Sequence, residues 1–230
     1  MNNMTPSLSR NETVYGLCWL AISQLLLPSL LVSGNALLAS PLSSAKLNFV
    51  YYCINFSASV WIFRSFLHQS WKASLRNLFL VIWFAVLGYL GCEFLTNAAE
   101  VLIFRLDPSF FNANNQAVLG NVKTDFSLMV IATVLMVPVS EELLFRGVIF
   151  RGLWGKSRVL AYIASMVLFA AMHCLGYLGT YSPLQLVLAL VQYLPAGYCL
   201  CFVYHQTGTI VTPIVMHALV NAMTIYNSVR

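Results

Sequence analysis

Val137-Pro138-Val139-Ser140-Glu141-Glu142-Leu143-Leu144-Phe145-Arg146-Gly147 places two carboxylates and a guanidinium in the middle of an apolar segment. On a helix, Glu142 and Arg146 stand one turn apart and can pair, while Glu141 points to a neighbouring face. One glutamate therefore has a partner beside it, and the other is free for work. Ionisable groups at membrane depth cost at least ~2.5 kcal/mol each on insertion scales, so they face the protein interior and mark a site.

The rest of the chain supplies the apolar setting. Of its 230 residues, 60% are hydrophobic and only 8% charged, and the mean hydropathy is positive, more than a soluble domain of this size needs for its core. The composition predicts an all-α integral membrane protein, a polytopic transmembrane helix bundle of about seven spans. A net charge of +5 in a soluble chain would raise the question of nucleic acid. Here the basic residues sit in short loops between apolar runs, where they set orientation, and no nucleic-acid partner is implied. The six cysteines (Cys18, Cys53, Cys92, Cys174, Cys199 and Cys201) fall within or at the ends of apolar segments, without the spacing of a disulfide frame or a zinc knuckle, and read as small apolar residues.

A helix needs about 20 apolar residues to cross the hydrocarbon core. The expected spans are 14–39 with a bend near Pro28, 47–67, 77–104, 126–151, 158–176, 183–204 and 209–226. The first lacks the basic flank and cleavage site of a signal peptide and reads as retained. Between the third and fourth, residues 105–125 carry Asp107-Pro108 and Asn112-Ala113-Asn114-Asn115, turn-forming residues that predict a loop. Arg64, Lys72 and Arg76 lie between spans two and three, and Arg151, Lys156 and Arg158 between four and five. Both clusters fall on one side, which the positive-inside rule makes cytoplasmic, with the N-terminus inside and the C-terminus outside.

Two further spans carry compact polar groups. Phe169-x-x-x-His173 and His217-x-x-x-Asn221 each place their two residues one turn apart on one helical face. A lone histidine or asparagine in a bundle is commonly an interhelical hydrogen-bonding residue, but three separate spans converge on the same kind of chemistry. A carboxylate beside an imidazole can deprotonate water, and a second imidazole with a carboxamide can donate to a developing oxyanion. Those are the parts needed to hydrolyse an amide. Neutral histidine and carboxylate are equally ordinary zinc ligands, so metal-dependent and metal-free mechanisms both stay open.

Glu141-Glu142-x-x-x-Arg146, Phe169-x-x-x-His173 and His217-x-x-x-Asn221, in that order and on separate spans, resemble the three motifs of the CPBP family. These are the CAAX prenyl endopeptidases and bacteriocin-processing or immunity-related intramembrane proteases, also called Abi proteins. The turn Gly208-Thr209-Ile210 leading into Pro213 and His217 is in the same style. The resemblance implies that residues 126–227 form the catalytic core, with residues 1–125 contributing three spans and the outer loop of the same bundle. It implies that Glu141 and His173 activate water, that His217 and Asn221 stabilise the tetrahedral intermediate, and that Glu142 holds Arg146, with Phe169 in support. A divalent metal such as zinc would fall to Glu141, His173 and His217; the glutamate mechanism requires none. The implied partners are membrane lipid and a peptide substrate with a membrane-proximal or lipidated segment, in the cell membrane of a bacterium. A proton-coupled transporter using Glu93, Glu141 and His173, or a non-catalytic immunity or scaffold protein, are the competing classes.

Depth raises a conflict. At about 1.5 Å per residue, Glu141 lies ~15 Å above the cytoplasmic end of its span, His217 ~12 Å and His173 ~22 Å. The expected cavity opens to the cytoplasm. Glu93 is expected to face the bundle and pair with a residue such as Arg146, Glu100 to lie at the outer interface, and His68 and His205 to be solvated span ends.

Overall fold

The computed structural model describes residues 6–228, which fold into nine helices. In chain order they are α1 (Arg10–Ala36), α2 (Ser44–Ile62), α3 (Arg64–Arg76), α4 (Leu78–Leu106), α5 (Ala113–Thr124), α6 (Phe126–Trp154), α7 (Arg158–Leu175), α8 (Pro183–Thr207) and α9 (Val211–Ser228). Five of them, α1, α4, α6, α7 and α8, are long and apolar enough to cross a bilayer. At the other two expected spans helices form as well, α9 close to the predicted range and α2 ending at Ile62, five residues before the predicted end, but neither is apolar enough to count as a crossing. Their polar residues, among them Asn55 and Ser59 in α2 and His217 and Asn221 in α9, are turned towards the protein and lower their hydropathy.

The centre is α6. Its residues Leu143, Leu144, Phe145, Arg146, Val148 and Phe150 are all buried, and the two larger core clusters meet on it: Phe63, Phe66 and Tyr204 on one side, Phe169, Leu200 and Met216 on the other. Leucine and phenylalanine on the outer helices stay exposed, as with Leu30, Phe79 and Phe94. An apolar surface of this extent is stable only in contact with lipid.

Two segments expected as loops are helical. Residues 64–76, the first four of which fall at the expected end of the second span, form α3, which buries Phe66, Ser70 and Ser74 and leaves Trp71 and Leu75 exposed; with Arg64, Lys72 and Arg76 it is an amphipathic helix of the kind that lies at a membrane interface. Its N-terminus is capped across the fold by Glu12, whose Oε1 accepts from the Phe66 amide at 3.0 Å, which satisfies an orphan donor and complements the helix dipole. Beneath α3 lies the α8–α9 turn, where Gly208 takes φ 70° and Thr209 hydrogen-bonds Ser74 (2.7 Å). In the outer segment, only residues 107–112 and the single junction residue Asp125 are not helical. Asn112, read from sequence as turn chemistry, accepts from the Asn115 amide (2.8 Å) and caps α5, the other common use of asparagine.

The outer segment is fastened to α8. Asp107 accepts from Ser109 and from Gln185 Nε2 (3.0 Å), and the Ser109 hydroxyl, with its amide and Gln185, holds the Asp107 carboxyl below its ordinary range. Tyr181 takes the Ala113 amide (2.7 Å), and Gln192 binds Asn112 (2.7 Å) and Glu100 (3.2 Å).

Candidate active site

The two neighbouring glutamates go to different places, as helical periodicity requires. Glu142 is fully buried, and its Oε1 accepts from Arg146 Nη1 at 3.1 Å. Arg146 is equally buried; its Nη2 donates to the Gly197 carbonyl of α8 (3.2 Å), and its guanidinium lies 4.4 Å from the centre of the Phe169 ring. That cation–π contact explains the phenylalanine of Phe169-x-x-x-His173. Glu141 faces a cavity instead. Its Oε2 has no hydrogen-bond partner and lies 3.9 Å from His173 Nε2.

His173 presents that nitrogen because the other is occupied: Nδ1 lies 2.8 Å from the Phe169 carbonyl, which can only accept, so Nδ1 carries a proton, and in the neutral ring Nε2 keeps the lone pair. Two acceptors 3.9 Å apart suit one water donating a hydrogen bond to each.

The depth conflict disappears in the fold. The helix holding Glu141 continues to Trp154, three residues beyond the expected end. Glu141 and His173 then stand ~20 and ~22 Å from the α6–α7 turn at 1.5 Å per residue. His217 reaches them because the α8–α9 turn is itself buried under α3, with Thr209 4% and Ile210 0% exposed.

His217 and Asn221 line the same cavity but hold partners that the sequence reading did not assign. His217 Nδ1 donates to Glu142 Oε1 at 2.9 Å, so one carboxylate oxygen serves both Arg146 and His217. Asn221 Nδ2 donates to the Thr133 carbonyl at 2.8 Å. That carbonyl is available for a local reason: residues 132–136 form a π turn in which the Val137 amide reaches back to Ala132. The same register would pair Thr133 with residue 138, a proline without an N–H. Pro138 thus does more than bend α6; it frees the acceptor that anchors Asn221.

The cavity measures about 600 Å³ and is walled by α1, α2, α4, α5, α6, α7, α8 and α9. Its outer lining includes Glu100, Asn112, Asn114, Asn115, Gln192 and Asn227. All lie at the end of the bundle opposite the Arg64–Arg76 and Arg151–Arg158 clusters, contrary to the expected opening on the basic side. Glu93 also lines it; it does not pair with Arg146, whose charge Glu142 already meets. His205 is not merely solvated but bonds Tyr162 (3.1 Å) and packs on Trp154 (4.5 Å).

Among the described residues, no three of His, Cys, Asp and Glu come close enough to hold a metal ion. The suggested set of Glu141, His173 and His217 is thus not assembled as a ligand triad among the described residues. Two contributors went unseen in the sequence. Gly197 supplies the carbonyl for Arg146, and Tyr193 packs on His173 with centroids 4.4 Å apart. Pro195-x-Gly197 inside a span was a usable signal, since proline and glycine in a membrane helix mark backbone contacts; Tyr193 had none.

Residues 123–223 match the sequence model of the family described as "Type II CAAX prenyl endopeptidase Rce1-like". The chain is 26% identical over 163 residues to "UPF0177 protein YbdI" of Lactococcus lactis subsp. lactis (strain IL1403), covering 70% of this chain and 81% of the relative. It is also 26% identical over 182 residues to "Putative membrane peptidase YdiL" of Bacillus subtilis (strain 168), covering 75% of this chain and 68% of that one. No solved structure gives a significant match.

Proposed function

We propose that this integral membrane protein, whose residues 123–223 match the Rce1-like CAAX prenyl endopeptidase model, is an intramembrane endopeptidase of the CPBP type working through a glutamate-activated water. The observation that carries the reading is the unpartnered Glu141 Oε2 set 3.9 Å from His173 Nε2, on the wall of a cavity.

A water seated between those two atoms gives one proton to the Glu141 carboxylate while its other O–H is held by His173. The oxygen electron pair adds to the carbonyl carbon of the scissile amide, and the π pair moves onto the carbonyl oxygen. His217, with Nδ1 bonded to Glu142, has Nε2 left for the cavity; Asn221 has a second N–H beyond the one given to Thr133. These are the groups available to the oxyanion. When the intermediate collapses, the C–N bond breaks and the proton on Glu141 passes to the departing amine. One water is consumed, one carboxylic acid and one amine are made, and Glu141 returns to its starting state. No step passes through a metal.

The substrate class that suits a membrane-enclosed cavity is a peptide carried by a lipid-anchored or membrane-spanning segment. With the basic end cytoplasmic, the N-terminus is inside, the C-terminus outside, and the cavity opens on the outer face of a bacterial cell membrane.

The test compares new peptide termini in membranes of cells expressing the wild type, Glu141→Gln and His173→Ala at matched levels. Termini made only by the wild type, and still made after chelator treatment, are expected. If no terminus depends on Glu141, a non-catalytic scaffold replaces the peptidase; if chelation stops cleavage and zinc restores it, a metal mechanism does.

A further inference from the structure

His173 is held in a way that its own helix cannot provide. The bond from Nδ1 to the Phe169 carbonyl fixes the tautomer, but both ends belong to α7, so it does not register the ring against Glu141 on α6. Phe169, 4.5 Å from the imidazole, is also on α7 and already lies under Arg146. The constraint from outside comes from α8: the Tyr193 ring lies 4.4 Å from the imidazole at an interplanar angle of 30°.

Tyr193 is itself pinned. Its hydroxyl lies 3.1 Å from Asn112 Oδ1 and 3.3 Å from Asn115 Oδ1, the two acceptors available to its single hydrogen, and it accepts from Asn114 Nδ2 at 3.1 Å. Asn112 is tied in turn to Gln192 (2.7 Å). Hydrogen-bonded to these three asparagines, the hydroxyl is spent on the rim and is not a proton donor to the reaction. The ring face is what reaches the site.

We propose that Tyr193 is a positioning residue for His173, and that the asparagines around the start of α5 belong to the hydrolytic apparatus through it. The chain of contact runs from the rim of the cavity, through one rigid aromatic ring, to the imidazole whose Nε2 faces Glu141. Displacement of a reacting group by ~1 Å costs up to ~100-fold in rate, so the tether sets turnover. The rate consequence rests on the peptidase reading; the placement of the ring does not.

The experiment uses the full chain in detergent with ring-labelled histidine. Only four histidines are present, and His173 is identified by the signal lost in His173→Gln. Tyr193→Leu removes stack and tether, Tyr193→Phe removes only the tether, and Asn112→Ala with Asn115→Ala removes it from the other side. The expected result is one sharp His173 signal set in the wild type that broadens or splits in all three. The His217 set, held by Glu142, stays unchanged and reports intact folding. Tyr193→Phe combined with the two alanines is expected to add nothing to either. With a reporter peptide taken from a Glu141-dependent cleavage, kcat is expected to fall by about 10- to 100-fold in Tyr193→Leu, and less in Tyr193→Phe, with KM nearly constant. An unchanged His173 signal in Tyr193→Leu beside an intact His217 signal overturns the proposal. So does an unchanged kcat. If no Glu141-dependent cleavage exists, the peptidase reading fails, and the histidine spectra alone decide whether Tyr193 holds the ring.

Discussion

At the residue scale, adjacent glutamates have opposite physics. Glu142 is sealed against Arg146 and His217 with no exposed surface. Replacing it with glutamine leaves a buried guanidinium without its counter-charge, a loss of roughly 3–5 kcal/mol; Glu142→Gln is therefore expected to lower the unfolding midpoint sharply in a detergent melt. Glu141 has no such partner. Glu141→Gln is expected to abolish cleavage while moving stability by less than ~0.5 kcal/mol. Equal losses of stability in the two variants would contradict this division. Gly197 is constrained by backbone: a Cβ there would meet the Met166 Cα at 3.1 Å and its Cβ at 3.4 Å. Gly197→Ala forces α7 and α8 apart and moves the carbonyl that Arg146 uses. The expected cost is about 1–3 kcal/mol, read from the same melt.

At the element scale, the helix that carries the site is deliberately imperfect. A π turn followed by proline leaves the Thr133 carbonyl open, and Asn221 closes it from α9. The same pattern, a π turn at Ile22–Leu26 and then Pro28, recurs in α1. Asn221→Ala strands a buried acceptor, with an expected cost of about 1–3 kcal/mol. Pro138→Ala restores an amide that can take the carbonyl back. In a double-mutant cycle, Asn221→Ala is expected to cost clearly less in the Pro138→Ala background than alone. Additivity of the two would show that the asparagine and the proline do not share that carbonyl.

At the scale of the whole molecule, the question is which side the cavity serves. Its polar rim and the basic clusters sit at opposite ends of the bundle. With the positive-inside rule, the proposed orientation puts the cavity on the outer face, and labelling from the two sides tests it. Asn114→Cys, at the rim, is expected to react with a membrane-impermeant maleimide on intact cells above the wild-type background, and Lys156→Cys, in the α6–α7 turn, only after permeabilisation. The reverse labelling would turn the protein over and return the cavity to the cytoplasm.

Much of this was already legible in the chain. The helical class, the positions of the expected spans, the Glu142–Arg146 pair and the separate exposure of Glu141 all follow from composition and from a period of 3.6 residues, which act within one helix and need no knowledge of its neighbours. The amphipathic α3 and the capped α5 were hidden because short polar helices and loops share a composition. Only the tertiary structure could decide that His217 answers to Glu142, 75 residues away, and Asn221 to Thr133, 88 away. It alone brought Tyr193 over His173 and gave the cavity its direction. Those outcomes depend on the rotation and depth of each helix against the others, and packing around α6 sets both at once.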